Sequence, residues 1–202
     1  MRIKSQTRRE VILATALDLF REVGFEAASM SQIAARAGGS KTTLYNHFSS
    51  KEELLLEALL TSAREYAQEV RQLLQESDDL PTQLHRFVFS LLKLINDPAT
   101  IEIMRVAVSV GGTTDIGLRF YEMGTQEPWQ DIANVLRQEL ERRKLPADPE
   151  LMAKHLRDLC QTDVIANLLG AGKPLTDQET QDKAAYIVDL FLRAHGISDP
   201  AV

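Results

Sequence analysis

The chain has 202 residues, a formal net charge of −6 at pH 7, and 44% hydrophobic residues. This composition is typical of a globular protein with one large or two small domains, and no uncharged apolar run reaches the eighteen or so residues that a membrane helix needs. The single cysteine, Cys160, argues against a disulfide framework and a cysteine-ligated zinc site. We therefore expect a cytoplasmic protein that does not enter a membrane.

Charge is distributed unevenly along the chain. Residues 1–51 contain eight Lys or Arg against four Asp or Glu, a net charge of +4, so the remaining residues carry about −10. A basic segment joined to an acidic body is typical of a protein that binds a polyanion such as nucleic acid.

The first part of the chain contains four helix signals, each led by a capping serine or threonine. Thr7 and Glu10 have the spacing of a capping box, and so do the two later pairs that begin at Ser29 and Ser50. The first two predicted helices run from Thr7 to Gly24 and from Ser29 to Gly38. The third is a short helix capped by Ser40, and the fourth runs from Ser50 through Leu73.

The second part also reads as helical. Helices are predicted from near Pro81 to about Ile95, from Asp97-Pro98 to Gly111, near 115–123 and 127–144, from Asp148-Pro149 to Leu169, and from Thr176 to Gly196. Residues 101–110 partly alternate as a buried strand would, but the Asp-Pro start favours a helix. Nine or ten helices and an all-α fold are expected.

The segment 38-GGSKTTLYNHFSSKEEL-54 combines glycines, apolar anchors and polar side chains. At 100° per residue, Leu44 and Phe48 lie on the same side of a helix and predict its buried face. The residues predicted to point away are Thr42, Thr43 and Asn46, with Tyr45 and His47 on the two flanks.

Two helices joined by a glycine-containing turn, the second with a polar outer face, indicate a helix-turn-helix whose second helix enters the major groove of DNA. The threonines and the asparagine suit base edges. The residues that suit the flanking phosphates are Ser40, Lys41, Tyr45, His47 and Lys51.

Residues 9-REVILATALDLFREVGFEAASMSQIAARAGGSKTTLYNHFSSKEELL-55 resemble the N-terminal domain of the TetR family of bacterial transcriptional regulators. The resemblance implies base contacts from Thr42, Thr43 and Asn46 of a reader helix Lys41–His47. It implies phosphate contacts from Tyr45, His47 and Lys51, and places the helix that begins near Ser29 by a phosphate.

One position departs from the family pattern. The turn usually reads AGVS and here reads AGGS, so Gly39 lacks an aliphatic side chain. We expect this change to loosen the angle between the two helices and to lower stability by about 1 kcal/mol.

The remainder is similar to the helical regulatory domain of that family, with 117-GLRFYEMG-124 and 185-AYIVDLFLRAHG-196 similar to an AefR-like subgroup. The resemblance implies a DNA-binding domain over 1–52 and a ligand-binding and dimerisation domain over 53–202. It implies a homodimer through the last two long helices that binds a double-stranded, palindromic DNA operator. A small-molecule effector is expected to release that operator.

The resemblance places the effector cavity among helices that contain Phe87, Met104, Trp129 and Cys160, although each of these also fits ordinary core packing. Arg105 either pairs with Glu102 or meets a carboxylate of the effector. Asp163 and Asn167, one turn apart, fit either a polar pocket wall or the surface.

The sequence does not contain the residue patterns that a metal-binding protein or an enzyme would need. His85, His155 and His195 do not have metal-ligand spacing, so neither a metal nor another cofactor is expected. An enzyme would need a nucleophile–base pair or a phosphate-binding glycine loop, and the sequence shows neither, so we do not expect an enzyme. Two alternatives remain open: a body that binds a protein partner instead of a small ligand, and activation instead of repression.

Overall fold

The computed structural model describes residues 2–75, 79–122 and 126–197, and over these residues the chain forms eleven α-helices and no strand. This confirms the predicted all-α fold. The helices are α1 (Arg2–Val23), α2 (Met30–Arg36), α3 (Lys41–Tyr45), α4 (Lys51–Gln75), α5 (Leu80–Asn96), α6 (Pro98–Gly111), α7 (Ile116–Phe120), α8 (Gln126–Arg143), α9 (Pro149–Cys160), α10 (Val164–Leu168) and α11 (Asp177–Ala194).

Capping explains most helix starts. Ser29 forms the predicted reciprocal capping box with Gln32, and Thr176, the predicted start of the last helix, forms another with Glu179. Asp148 accepts hydrogen bonds from the first amides of α9, with Pro149 at the first turn. The ambiguous residues 101–110 lie within α6, which confirms the helical interpretation.

Three predicted boundaries are wrong. Helix α1 begins at Arg2, so Thr7 lies inside it instead of capping it. Helix α3 ends at Tyr45, two residues before the predicted end. The helix predicted from Asp148 to Leu169 is interrupted at 161–163 and continues as α10. Of the segment predicted near 115–123, residues 116–120 form α7, and residue 123 lies outside the described residues.

The chain divides into two compact units, one of residues 1–65 and 102–124 and one of residues 66–101 and 125–202. We call them the first and second unit. In the first, buried side chains of α1, α2, α3 and α4 form one apolar core, to which Val106, Val110 and Ile116 also belong. Burial of such side chains supplies most of the stabilising free energy of a small helical unit.

The second unit is built on two helix pairs, α5 with α11 and α8 with α9, and α9 also packs against α11. Its core includes Phe87, Ile132, Leu136, Leu156 and Phe191, each 0% exposed. The chain turns at residues 161–163, between α9 and α10, and α10 then packs against α5.

Candidate DNA-binding site

The turn between α2 and α3 fixes the geometry of the site. Gly38 has φ +67°, in the left-handed region that favours glycine. The amides of Gly38 and Gly39 donate to the carbonyls of Ala35 and Ala34, at 3.1 and 3.0 Å, which closes the end of α2. The chain therefore leaves α2 through a hydrogen-bonded turn and enters α3 directly.

Helix α3 is held at both sides of its short length. The Thr43 amide donates to Ser40 Oγ at 3.0 Å, and the two side-chain hydroxyls lie 2.9 Å apart. Leu44 and Phe48 are each 1% exposed in the core of the first unit, which confirms their predicted role as anchors. A cap and two buried side chains thus set the orientation of a five-residue helix that would not be stable alone.

Most of the polar residues of the segment are exposed. Lys41, Thr42, Tyr45 and Asn46 are exposed, while Thr43 and His47 are half-buried. Because α3 ends at Tyr45, Asn46 is its C-cap and His47 lies in the following turn. Lys41 Nζ lies 5.8 Å from the centre of the Tyr45 ring. The face carries donors and acceptors of the kind that meet bases and phosphates.

Lys51 has contacts within the first unit that the sequence did not indicate. Its ammonium donates to the carbonyls of Phe25 at 2.9 Å and of Glu26 at 3.3 Å, and lies 4.4 Å from the centre of the Phe25 ring. These contacts fasten the start of α4 to the segment before α2. A phosphate contact from Lys51 stays a prediction.

Ser29 is exposed and caps α2 as predicted. Its amide donates to Gln32 Oε1 at 2.9 Å, and its hydroxyl accepts from the Gln32 amide at 3.3 Å. The similar start of α4 differs in detail: Ser50 Oγ accepts from the Glu53 amide, but the Glu53 carboxylate accepts from the amide and hydroxyl of Ser49. These hydrogen bonds, the hydroxyl first, lower the pKa of Glu53.

Gly39 has a neighbour that sequence reasoning missed. A Cβ built on this residue would lie 2.2 Å from Nη2 of Arg8, a half-buried residue of α1. The space that a larger side chain would fill is therefore occupied by a guanidinium. The sequence shows Arg8 only as one of the eight Lys or Arg of residues 1–51, because nothing local links residue 8 to residue 39.

The residues predicted to line an effector cavity fall in different units. Met104 and Arg105 belong to the first unit, and Arg105 is exposed. Glu102 carries an ion pair with Arg21, Oε2 to Nε at 3.9 Å. Phe87, Trp129, Cys160, Asp163 and Asn167 belong to the second unit.

Within the second unit, Phe87 and Cys160 belong to the buried core, and Trp129 packs against it. The rings of Phe87 and Trp129 meet edge to face with centroids 5.2 Å apart. Cys160 is 1% exposed, and burial raises the pKa of its thiol to about 12 despite the opposing effect of Lys183. A thiol with that pKa is protonated at neutral pH and unreactive.

The two polar candidates are hydrogen-bonded inside the same unit. Asn167 is 8% exposed, and its side-chain amide donates to Asn96 Oδ1 at 2.7 Å, which joins α10 to α5. Asp163 accepts a hydrogen bond from Lys183 of α11. Both interactions stabilise helix packing, and a role in ligand binding stays a prediction.

The buried hydroxyl of Tyr66, in the second unit, has no hydrogen-bond partner among the described residues. Tyr66 Oη is among the few such atoms of the described residues, and burial raises the pKa of this phenol, with Cys160 and Glu69 adding to the effect. An unpartnered buried hydroxyl costs stability and can serve a bound molecule. Sequence reasoning missed it because Tyr66 reads as one more apolar position of α4.

Two short helices joined by a tight turn, with anchors buried and a polar face exposed, define a helix-turn-helix DNA-binding protein. Residues 12–58 match the profile of the bacterial regulatory proteins of the TetR family. Residues 82–197, more than half of the chain, match the C-terminal domain of AefR-like transcriptional repressors. The chain belongs to the TetR family of transcriptional regulators, which confirms the resemblance seen in the sequence.

Individual relatives agree with this assignment. The transcriptional activator FasR of Mycolicibacterium smegmatis is 38% identical over 94 residues, covering 46% of this chain and 43% of FasR. This chain therefore matches less than half the length of FasR. A TetR-family regulator from Mesorhizobium loti has the same fold, with a TM-score of 0.82, 25% identity, and coverage of 94% and 97% of the two chains.

The flavonoid-responsive regulator FrrA also shares the fold. Its TM-score is 0.73 at 24% identity, over 94% of this chain and 97% of FrrA. No helix in the described parts of the chain is long and apolar enough to span a membrane.

Proposed function

We propose that the chain is a repressor that binds a palindromic operator as a dimer and leaves it when a small-molecule effector binds. The observation that carries the proposal is the outward polar face of α3 and the turn after it, held by Leu44 and Phe48 at 1% exposure. The residues proposed to contact DNA are Ser29, Ser40, Lys41, Thr42, Thr43, Tyr45, Asn46, His47 and Lys51. Residues 1–52 would form the DNA-binding domain and residues 53–202 the ligand-binding and dimerisation domain.

A dimer follows from the small size of the reading element. One helix of five residues contacts too few bases for useful specificity, and two copies would bind half-sites roughly 34–36 Å apart. The proposed interface uses the last two long helices, α9 and α11. Its support is apolar surface: Leu151 of α9 is 48% exposed and Tyr186 of α11 is 64% exposed.

The effector is proposed to bind inside the second unit, where Phe87, Trp129 and Cys160 supply apolar contacts. Tyr66 would add one hydroxyl that no described residue uses. The name of FrrA states that it responds to flavonoids, so a regulator of this fold responds to an aromatic small molecule. Binding would favour a conformation with altered half-site spacing, and a coupling free energy of about 1–3 kcal/mol would suffice for regulation.

Repression is preferred to activation because the longer family match is to a class described as transcriptional repressors. FasR is named a transcriptional activator, so activation is the alternative to repression for this chain. Since the target is chromosomal DNA, the proposed location is the bacterial cytoplasm.

The central test is binding to the DNA upstream of the gene that encodes this chain. Fluorescence anisotropy would compare that fragment with a random duplex of equal length at moderate salt. We expect preferential binding of the upstream fragment, lost in the double variant Tyr45→Ala/His47→Ala and retained in His85→Ala, a change in α5. Equal affinity for both duplexes, or unchanged binding by the double variant, would refute the proposal.

The effector step is tested by a thermal-shift screen of small aromatic compounds followed by anisotropy. A ligand present at 100 times its dissociation constant should stabilise the protein by about 2.7 kcal/mol and release the upstream fragment. Stabilisation without release would separate ligand binding from regulation. A body that responds only to another protein would favour the protein-partner alternative.

A further inference from the structure

The turn of the helix-turn-helix contains a position where an arginine takes the place of a side chain. A Cβ at Gly39 would lie 2.2 Å from Nη2 and 3.4 Å from Cζ of Arg8. Gly39 is not among the glycines with positive φ, so its backbone would accept a larger residue. The guanidinium of Arg8 is therefore what occupies the site.

The neighbouring arginine shows the contrast. Arg9 Nη2 lies 3.2 Å from Oε1 of Glu57, and the Arg9 guanidinium lies 4.6 Å from the centre of the Phe48 ring. Arg8 forms no ion pair with any carboxylate of the described residues. Of two consecutive arginines, one is neutralised within the first unit and the other lies against the turn.

Most other cations of the N-terminal segment also have a partner within the first unit. Arg21 pairs with Asp18 at 3.3 Å, Arg36 pairs with Glu22 at 2.5 Å, and Lys51 donates to backbone carbonyls. Among the lysines and arginines that the structure describes in residues 8–51, only Arg8 and Lys41 have neither a carboxylate nor a carbonyl partner. Residue 39 directly precedes Ser40 and Lys41, so both cations lie by the proposed DNA-binding surface.

We propose that Arg8 contacts the DNA backbone and that Gly39 positions it by leaving space for its guanidinium. An arginine fork matches the geometry of a phosphate and binds it by two parallel hydrogen bonds. The glycine in AGGS then favours DNA binding. The helix-turn-helix loses an aliphatic contact at residue 39, and a positive charge takes its place at the proposed DNA-binding surface. The inference rests on the proposed DNA-binding surface, and its test uses DNA of any sequence.

The test is the salt dependence of binding to a random duplex, measured for the full chain by anisotropy between about 50 and 200 mM NaCl. Each phosphate contact adds roughly 0.9 to the slope of log K against log[salt]. Arg8→Gln should flatten the slope by about 0.9 per subunit, and Gly39→Val should do the same by displacing the guanidinium. The double variant Arg8→Gln/Gly39→Val should be no worse than either single variant.

Two controls separate this role from a general loss of charge or of folding. Arg142→Gln removes one positive charge from α8, where Arg142 pairs with Glu139, and should leave the slope unchanged. Gly39→Val should keep or raise the melting temperature while it weakens DNA binding, a combination that a purely structural role would not produce. Arg8→Lys keeps the positive charge without the guanidinium fork, and its slope of log K against log[salt] should match that of the wild-type protein.

An unchanged slope in Arg8→Gln, with wild-type protein still salt-dependent, would overturn the proposal. Additive losses in the double variant would show that Gly39 does not position Arg8, and would overturn that part. If the wild-type protein does not prefer its upstream fragment, the proposed operator function fails, while the random duplex still decides the role of Arg8.

Discussion

The polar side chains that join helices in the second unit differ from those on the outer face of α3 in whether they have partners. In the second unit, polar groups bind one another: Asn167 donates to Asn96, and Lys93 donates to Asp177 at 2.7 Å. In the first unit, the side chains of Thr42 and Asn46 are exposed and make no hydrogen bond to any described residue. Pairing inside a protein stabilises helix packing, whereas an oriented polar face without partners is available to another molecule.

The anchors of α3 give the largest expected effect. Leu44→Ala should lower the free energy of unfolding by about 2–5 kcal/mol, because Leu44 is 1% exposed and the surrounding core relaxes only partly into the vacated space. Leu118→Ala is the matched control in the same unit, since Leu118 is 59% exposed. Urea unfolding measures both, and equal losses would show that burial does not distinguish the anchor.

The outward residues should show the opposite pattern. Thr42→Ala and Asn46→Ala should each weaken binding to the upstream fragment by about 1–3 kcal/mol, as loss of a base contact does. Unfolding should change by less than about 0.5 kcal/mol, since no described residue depends on these side chains. Gln68→Ala, an exposed change in α4, is the control. Equal losses on a random duplex would mean that neither residue reads sequence.

A carboxylate of the second unit is expected to respond to acid. Hydrogen bonds from Arg142 first, and then Arg143, lower the pKa of Glu139 to about 2. The stabilising free energy is therefore present above pH 4.5 and is lost as pH falls toward 2, and its size is on the order of 1–2 kcal/mol. Glu139→Gln should remove this dependence in urea titrations at a series of pH values. Parallel pH curves for both proteins would contradict it.

The smallest expected effect concerns a histidine pair. His155 Nδ1 and His195 Nε2 lie 3.4 Å apart, and burial, followed by the neighbouring His155, lowers the pKa of His195. The unfolded chain thus binds a proton more readily than the folded one, so stability should fall as pH drops through about 6.5. His195→Gln should flatten thermal stability between about pH 8 and pH 5. A curve as steep as that of the wild type would assign the dependence to other groups.

Much of the helix-turn-helix could be predicted from the sequence. The Ser29 and Ser40 caps, the left-handed Gly38 and the buried pair Leu44 and Phe48 all follow from residues within one or two turns of each other. The helix ends were less accurate: α3 stops at Tyr45, because a run of five residues is too short for periodicity to locate its end.

The candidate ligand residues were harder to predict. Phe87 and Trp129 do pack together, but Met104 and Arg105 belong to the other unit. An apolar position at helical spacing carries no information about which distant helix it meets. Tyr66 shows the same limit, since only the folded structure reveals that its buried hydroxyl has no partner in the part of the chain that the structure describes.

By itself, the sequence determined the helical class, the capped helix starts and the outward polar face, because these depend on neighbours along the chain. The tertiary structure decided which cations are neutralised and which remain available. Lys51 binds carbonyls, Arg36 binds Glu22, and Arg8 lies against Gly39. A charge is neutralised only by a group within a few ångströms, and residues far apart in sequence reach that distance only when the chain has folded.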